Sequence, residues 1–171
     1  MPLKASHILL VSLCLLSSFT FAQIKPKPLA FNAFYLEALG AGGYGSVNYE
    51  RLLFQQKKLH IGVRLGVGTY PLRDFKTNFN PDIMVPFGIN AYYGTTHHVE
   101  LGVGQTFSSV VKASSSDFSL TRENNLNSYF NIGYRYQKSE RGMVFRLNYC
   151  PIISSNKPFK NWFALSIGYS F

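Results

Sequence analysis

The pattern of apolar and polar residues is clearest in residues 162–171, which read W-F-A-L-S-I-G-Y-S-F. Successive side chains of a β-strand point to opposite faces, so this stretch would have one large apolar face and one face of Ala, Ser and Gly. A soluble sheet usually covers its solvent face with longer polar side chains, whereas small residues suit a crowded space. The pattern therefore predicts a transmembrane β-barrel strand, with its apolar face on lipid and its small face on a narrow lumen.

Seven further segments repeat this alternation, most cleanly at residues 59–70. The eight predicted strands are residues 32–39, 44–52, 59–70, 83–93, 98–107, 128–137, 143–151 and 162–171. Most are about nine to eleven residues long, which is what a tilted strand needs to cross a bilayer. The fold class predicted is all-β, an eight-stranded antiparallel up-and-down transmembrane β-barrel. Pro86 removes a ladder donor from the fourth strand, so irregular pairing is expected there.

The connections between these strands differ in length. Long loops are predicted at residues 71–82, 108–127 and 152–161, and short turns follow the fourth and sixth strands. Long outer loops opposite short periplasmic turns are typical of outer-membrane barrels, and an even strand count would place both termini in the periplasm.

The first residues have the pattern of a cleavable secretory signal. Lys4 precedes an apolar core at residues 8–16, and Thr20-Phe21-Ala22 forms a small-x-small cleavage site. The expected organisation is a signal peptide at residues 1–22, a periplasmic lead-in at 23–31 and the barrel at 32–171. No run of about 18 apolar residues occurs later in the sequence, so no membrane-spanning helix is predicted.

The chain is basic and rich in aromatic residues. Its formal charge is +9, with 11 Tyr and 15 Phe among 171 residues. Lys and Arg are scattered instead of forming one stripe, so contact with anionic lipid headgroups and lipopolysaccharide phosphate is favoured over nucleic acid. The aromatic residues would supply two interfacial girdles.

Six charged residues fall on the inward face of the predicted strands. An eight-stranded barrel is just wide enough for side chains, and buried charges require partners, so these residues predict a lumen closed by ion pairs. A small gated or proton-conducting pore is the alternative reading. The six residues of this lumenal charge network are Glu37, Glu50, Arg64, Glu100, Arg135 and Arg146.

Catalysis is not expected. An outer-leaflet lipid enzyme would need a His beside a Ser or Asp at the outer rim, whereas His60, His97 and His98 fall near predicted periplasmic ends. His97 and His98 would point opposite ways along a strand, which disfavours a shared metal. We therefore expect no enzyme activity, no metal and no cofactor.

Three stretches resemble small outer-membrane β-barrel proteins of Bacteroidota-type bacteria: S-V-N-Y-E at 46–50, V-P-F-G-I-N at 85–90 and H-V-E-L-G-V-G at 98–104. The C-terminal pattern ending in Tyr169 and Phe171 resembles the signal read by the outer-membrane barrel assembly machinery. The resemblance implies an OmpA/OmpX-type barrel. We expect a porin-like, monomeric protein of the Gram-negative cell envelope with a structural or surface-interaction role. The alternatives are a soluble lipocalin-like carrier, which would need the opposite polarity, and an outer-leaflet lipid-modifying enzyme.

Overall fold

A computed structural model describes residues 27–73, 76, 78–113, 119–154 and 157–171. The predicted signal peptide lies outside these residues. The ten strands are β1 (Asn32–Leu39), β2 (Gly45–Gln56), β3 (Leu59–Thr69), β4 (Ile83–Gly94), β5 (His97–Ala113), β6 (Leu120–Gln137), β7 (Gly142–Tyr149), β8 (Ile152–Ser154), β9 (Lys157–Lys160) and β10 (Phe163–Ser170). Within the described part of the chain, no helix is long and apolar enough to cross a membrane.

Eight of these strands close into one antiparallel barrel. Neighbouring strands pair in the order β1 to β7, then β10, and β10 pairs back onto β1. The predicted all-β, eight-stranded up-and-down barrel is therefore confirmed. Because every barrel strand has two neighbours, the barrel has no open sheet edge.

The polarity of the barrel is reversed relative to a soluble protein. Leu65, Leu101 and Ile167 point outward with 56%, 45% and 48% of their surfaces exposed, whereas Arg64 and Glu100 point inward with 3% and 0% exposed. A lipocalin-like carrier requires apolar residues inside and polar residues outside, so this arrangement contradicts that alternative.

The two ends of the barrel differ. One end, here called the short-turn end, carries the connections at residues 57–58, 95–96 and 138–141 together with residues 27–31 and Phe171. The opposite, long-loop end carries the β1–β2 and β3–β4 connections, the outer parts of β5 and β6, and the β8–β9 hairpin. This asymmetry follows the predicted arrangement of long loops and short turns.

The largest difference from the sequence prediction lies in β5 and β6. Residues 108–127 were expected to form a polar loop, but β5 continues to Ala113 and β6 begins at Leu120. The two strands remain in register from His97↔Tyr136 to Ala113↔Leu120, so the hairpin extends well beyond its neighbours. That loop prediction was wrong because strand pairing continues where the alternation of apolar and small residues stops.

Two irregularities shape the barrel wall. Pairing between β3 and β4 is interrupted between Leu65↔Phe87 and Gly68↔Met84, beside Pro86, which confirms the expected irregularity there. A register shift between Leu52 and Phe54 marks a β-bulge in β2 that the sequence analysis did not predict.

The β1–β2 connection folds into the mouth of the barrel. Gly40–Gly42 forms a buried 3-10 helix. Gly43 has φ 87°, and a Cβ on it would lie 2.8 Å from the Thr69 carbonyl oxygen, so only glycine fits without strain. Ala41 joins a small apolar cluster with Tyr129, Cys150, Ile152 and Ala164, which fixes the 3-10 helix in place.

Candidate functional site

Six acidic and basic side chains meet inside the barrel, each from a different strand. All six are at most 3% exposed, because the alternation of each strand points them inward. They are Glu37 on β1, Glu50 on β2, Arg64 on β3, Glu100 on β5, Arg135 on β6 and Arg146 on β7. The structure thus brings together every residue of the predicted charge network.

The first half of the network joins two arginines through Glu37. Arg64 donates to both oxygens of Glu37, with Nη2 2.9 Å from Oε1 and Nη1 3.3 Å from Oε2. Arg146 Nη1 lies 3.5 Å from Glu37 Oε2, and the same guanidinium donates to both oxygens of Glu100. Each of these charges therefore has a partner of opposite sign.

Arg135 completes the chain at its other end. Its Nη1 donates to Glu50 Oε1 at 2.6 Å and lies 3.6 Å from Glu100 Oε2. Gln137 Oε1 accepts from Arg135 Nε at 2.8 Å, and Asn90 donates to Glu50 Oε2 at 2.6 Å. The resulting order alternates base and acid without a break: Arg64, Glu37, Arg146, Glu100, Arg135, Glu50.

Aromatic rings pack against the guanidinium groups. The Tyr35 ring lies between two of them, with its centroid 4.4 Å from Arg146 Cζ and 5.8 Å from Arg64 Cζ. Arg135 Cζ lies 4.2 Å from the centroid of Tyr92. In a site without solvent such cation–π contacts are worth about 2 kcal/mol or more, so the rings contribute to holding the charges.

Strand pairing alone does not predict which charges bond. Glu50 and Arg64 are direct cross-strand neighbours, yet each bonds a partner on another strand. Arg135 and Arg146 are also direct neighbours, although they carry like charges. Arg135 on β6 bonds Glu50 on the opposite strand β2, and Arg146 on β7 approaches Glu37 beyond the β1–β10 pairing, so these two contacts exist only once the barrel is closed.

A histidine cluster at the short-turn end was missed by the sequence analysis. The ring centroids of His60 and His98 are 5.4 Å apart, and that of Tyr92 lies 5.2 Å from His60 and 5.5 Å from His98. His60 Nε2 donates to the Gly94 carbonyl at 3.3 Å. The alternation of side chains along the strand could have placed His98 inside the barrel, because His98 is two residues before Glu100 and so shares its inward face.

His97 and His98 point to opposite sides of the wall, as predicted. His98 is buried in the lumen, whereas His97 is exposed and contacts Tyr134 outside, with Nδ1 2.5 Å from the tyrosine hydroxyl. Across the described residues, no group of three or more His, Cys, Asp or Glu side chains is arranged to hold a metal ion.

No family model matches the chain, and no curated protein matches it. Two solved structures resemble it. The N-terminal β-barrel domain of Pseudomonas aeruginosa OprF has a TM-score of 0.58 at 12% identity, covering 82% of this chain and 95% of that one. The Yersinia pestis outer membrane protein Ail, solved in a phospholipid bilayer nanodisc, has a TM-score of 0.52 at 9% identity, covering 83% and 99%.

These similarities show a shared fold. The chain has the architecture of small outer-membrane β-barrels, and the match extends over nearly the whole of both neighbours. Neither neighbour bears on the resemblance to Bacteroidota-type proteins, which stays a prediction.

Proposed function

We propose that this chain is an integral protein of a bacterial outer membrane, with a closed lumen and a structural or surface-interaction role that involves no catalysis. The observation that carries this proposal is the reversed polarity of the barrel. Apolar side chains such as Leu65, Leu101 and Ile167 cover its exterior, while a neutral chain of three acids and three bases fills its interior.

The packing of the charges supports a closed lumen. Arg64, Arg135 and Arg146 are among the least exposed side chains of the chain, and aromatic rings pack against each of them. Because the three positive and three negative charges pair with one another, the interior attracts neither cations nor anions strongly. A continuous water path through the barrel would require these ion pairs to separate.

We also propose how the protein reaches the membrane and what it contacts there. Export through the predicted signal peptide would deliver the chain, and its positive charge would favour contact with lipid headgroups and lipopolysaccharide phosphate. The closed barrel offers no unpaired wall strand to a second copy, which supports a monomer. The extended β5–β6 hairpin would be displayed outside the cell.

Planar-bilayer recording tests the closed lumen. The wild-type protein, refolded from detergent, should show no ion conductance, and unheated gel mobility would verify that it is folded. The double variant Glu100→Ala/Arg146→Ala removes one paired acid and one paired base, so it should open a water path and conduct. An Arg51→Ala control at an exposed site should stay closed. Wild-type current steps that the double variant does not increase would favour the gated pore instead.

The assembly role of Tyr169 and Phe171 has its own test. Both residues point outward, and Phe171 stacks on Phe34 with centroids 6.0 Å apart. Phe171→Ala should lower the amount of barrel inserted in cells while leaving refolding into detergent unchanged. Phe163→Ala, a matched loss of an exposed ring from the same face of β10, should insert normally. Equal insertion of both variants would argue against an assembly signal at Phe171.

A further inference from the structure

A cavity of about 440 Å³ opens at the long-loop end of the barrel. The extended β5–β6 hairpin contributes one wall, and the region of β8 and β9 contributes another. Its volume falls within the range of roughly 300–1,000 Å³ that is typical of small-molecule sites.

The cavity is separated from the charge network below it. Ala41 of the 3-10 helix forms part of its lining, and the Ala41 carbonyl accepts a hydrogen bond from Thr106 Oγ1 at 2.9 Å. On the other side of this helix, a Cβ on Gly40 would lie 3.0 Å from Glu37 Oε1. The helix therefore forms a floor, and a bound molecule would not need to disturb the ion pairs.

Most polar groups of the lining are hydroxyls and amides. They accept and donate hydrogen bonds without carrying charge, and several already bond one another: Asn127 Nδ2 donates to Ser108 Oγ at 3.2 Å, and Ser154 Oγ donates to Asn127 Oδ1. Asn125, an exposed residue of β6 on the same face as Asn127, also lines the cavity. This composition matches a ligand with many hydroxyl groups.

The charges of the lining are positive. Lys112 and Lys160 border the cavity, while no Asp or Glu is among the described residues that line it. Lys112 is ion-paired with Glu123, which lies outside the lining. An anionic group would therefore find its clearest complement at Lys160.

The remaining part of the wall is apolar or aromatic, and is formed by Tyr70, Met84, Val110, Leu126 and Ile152. Tyr70 lines the cavity and packs edge-on against Tyr44, with centroids 5.1 Å apart, and its centroid is 5.9 Å from that of Trp162. Burial raises the pKa of the Tyr70 phenol, so its hydroxyl remains a neutral donor at physiological pH. Aromatic faces pack well against the C–H face of a sugar ring.

We propose that this cavity binds an acidic saccharide of one or two rings, with its hydroxyls on the Asn and Ser side chains and its carboxylate or phosphate near Lys160. The inference goes beyond the proposed membrane role, since it depends only on the geometry of the cavity.

Fluorescence titration of the folded protein in detergent micelles tests this binding. Trp162 is the only tryptophan of the chain and lies beside the cavity wall, so its emission reports on the site. The probes are glucuronic acid, glucose 6-phosphate and neutral glucose at low ionic strength. A saturable change with either acid, and at least about fivefold weaker binding of glucose, is expected. The two acids distinguish a carboxylate ligand from a phosphate ligand.

Variants locate the site. Lys160→Gln should weaken binding of the acids about five- to tenfold, and Asn125→Asp, which adds a carboxylate to the lining, should weaken it as well. Lys58→Gln at the short-turn end is the matched control and should bind like the wild type. Unheated gel mobility would verify that each variant is folded.

Lipopolysaccharide carries the same acidic-sugar chemistry as a free saccharide. Adding lipopolysaccharide vesicles alone would identify a membrane-linked sugar as the source if the change in emission occurs and is lost in Lys160→Gln. No saturable response to either acid, an equal response to glucose, or an equal loss in Lys58→Gln would overturn the proposal.

Discussion

The ion pair between Arg64 and Glu37 provides the most direct test of the lumenal network. Replacing Arg64 by Met removes two hydrogen bonds to Glu37 and one of 2.8 Å to Asn48, while keeping a side chain of similar length. Glu37 then retains Arg146 at 3.5 Å and Ser166 at 3.3 Å. Breaking a buried pair in this way should lower the free energy of unfolding by about 3–5 kcal/mol.

A double-mutant cycle separates the pair from its surroundings. Glu37→Leu alone should also destabilise the barrel, since it leaves Arg64 buried without its carboxylate. The double variant Arg64→Met/Glu37→Leu removes both charges together, and replacing a buried pair by apolar residues costs little. Because the double variant costs less than either single one, we expect the two substitutions to be coupled by at least about 3 kcal/mol.

The matched control is an exposed ion pair of the same type. Lys27 and Glu140 are 3.1 Å apart, with 72% and 59% of their side chains exposed, so their coupling should stay below about 1 kcal/mol. Stability would be measured by urea titration in lipid vesicles, followed by Trp162 emission and unheated gel mobility. Charge reversal by Arg64→Glu, which places two carboxylates side by side, should destabilise more than Arg64→Met. Coupling of the lumenal pair no larger than that of the surface pair would refute the argument and indicate that the network is solvated.

Three other outcomes test the wall of the barrel. Leu101→Arg, on the outer face next to Glu100, should cost about 2–4 kcal/mol in a bilayer, whereas Leu126→Arg on the extended hairpin should cost far less; equal losses in urea titrations would contradict a lipid-facing Leu101. Gly133→Ala should prevent stable folding, because its Cβ would overlap the Leu147 carbonyl oxygen, while Gly45→Ala, with open space around it, should keep wild-type gel mobility. Cys150 is fully buried and should react with maleimide only after heating, as mass spectrometry of its peptide would show; labelling of the folded barrel would disprove this packing.

Much of the barrel could be predicted because each strand has one face outside the barrel and one face toward the lumen, and its side chains alternate between the two. Leu59–Thr69 and Phe163–Ser170 have an exposed apolar face outside the barrel and a face toward the lumen, so alternation specifies both the strand and its orientation. Where a strand extends beyond the closed barrel, its two faces no longer meet different surroundings, so nothing requires apolar and polar residues to alternate. The outer halves of β5 and β6 mix apolar and polar residues on both faces, as the neighbours Val110 and Val111 show. Their pairing, which continues to Ala113↔Leu120, therefore left no clear alternation in the sequence.

The charge network was also predicted only in part: its residues were predicted, but its ion pairs were not. The alternation of side chains predicted that Glu50 and Arg64 would point inward, since the direction of a side chain depends only on its position within a strand. It did not predict that Glu50 bonds Arg135 across the lumen, because that distance depends on the stagger of the closed barrel. His98 begins the predicted strand at residues 98–107, but the inward face that it shares with Glu100 was not used to place it beside His60.

The pairing of β1 with β10 is the seam that closes the barrel, and it affects how the protein folds. It joins Ala33 to Ser170 and Leu39 to Ala164, segments from opposite ends of the described chain. Pairings between such distant segments are slow to form, and an eight-stranded sheet with this seam open would have two unpaired edges and an exposed apolar face. Closing this seam pairs both of those edges and completes the barrel.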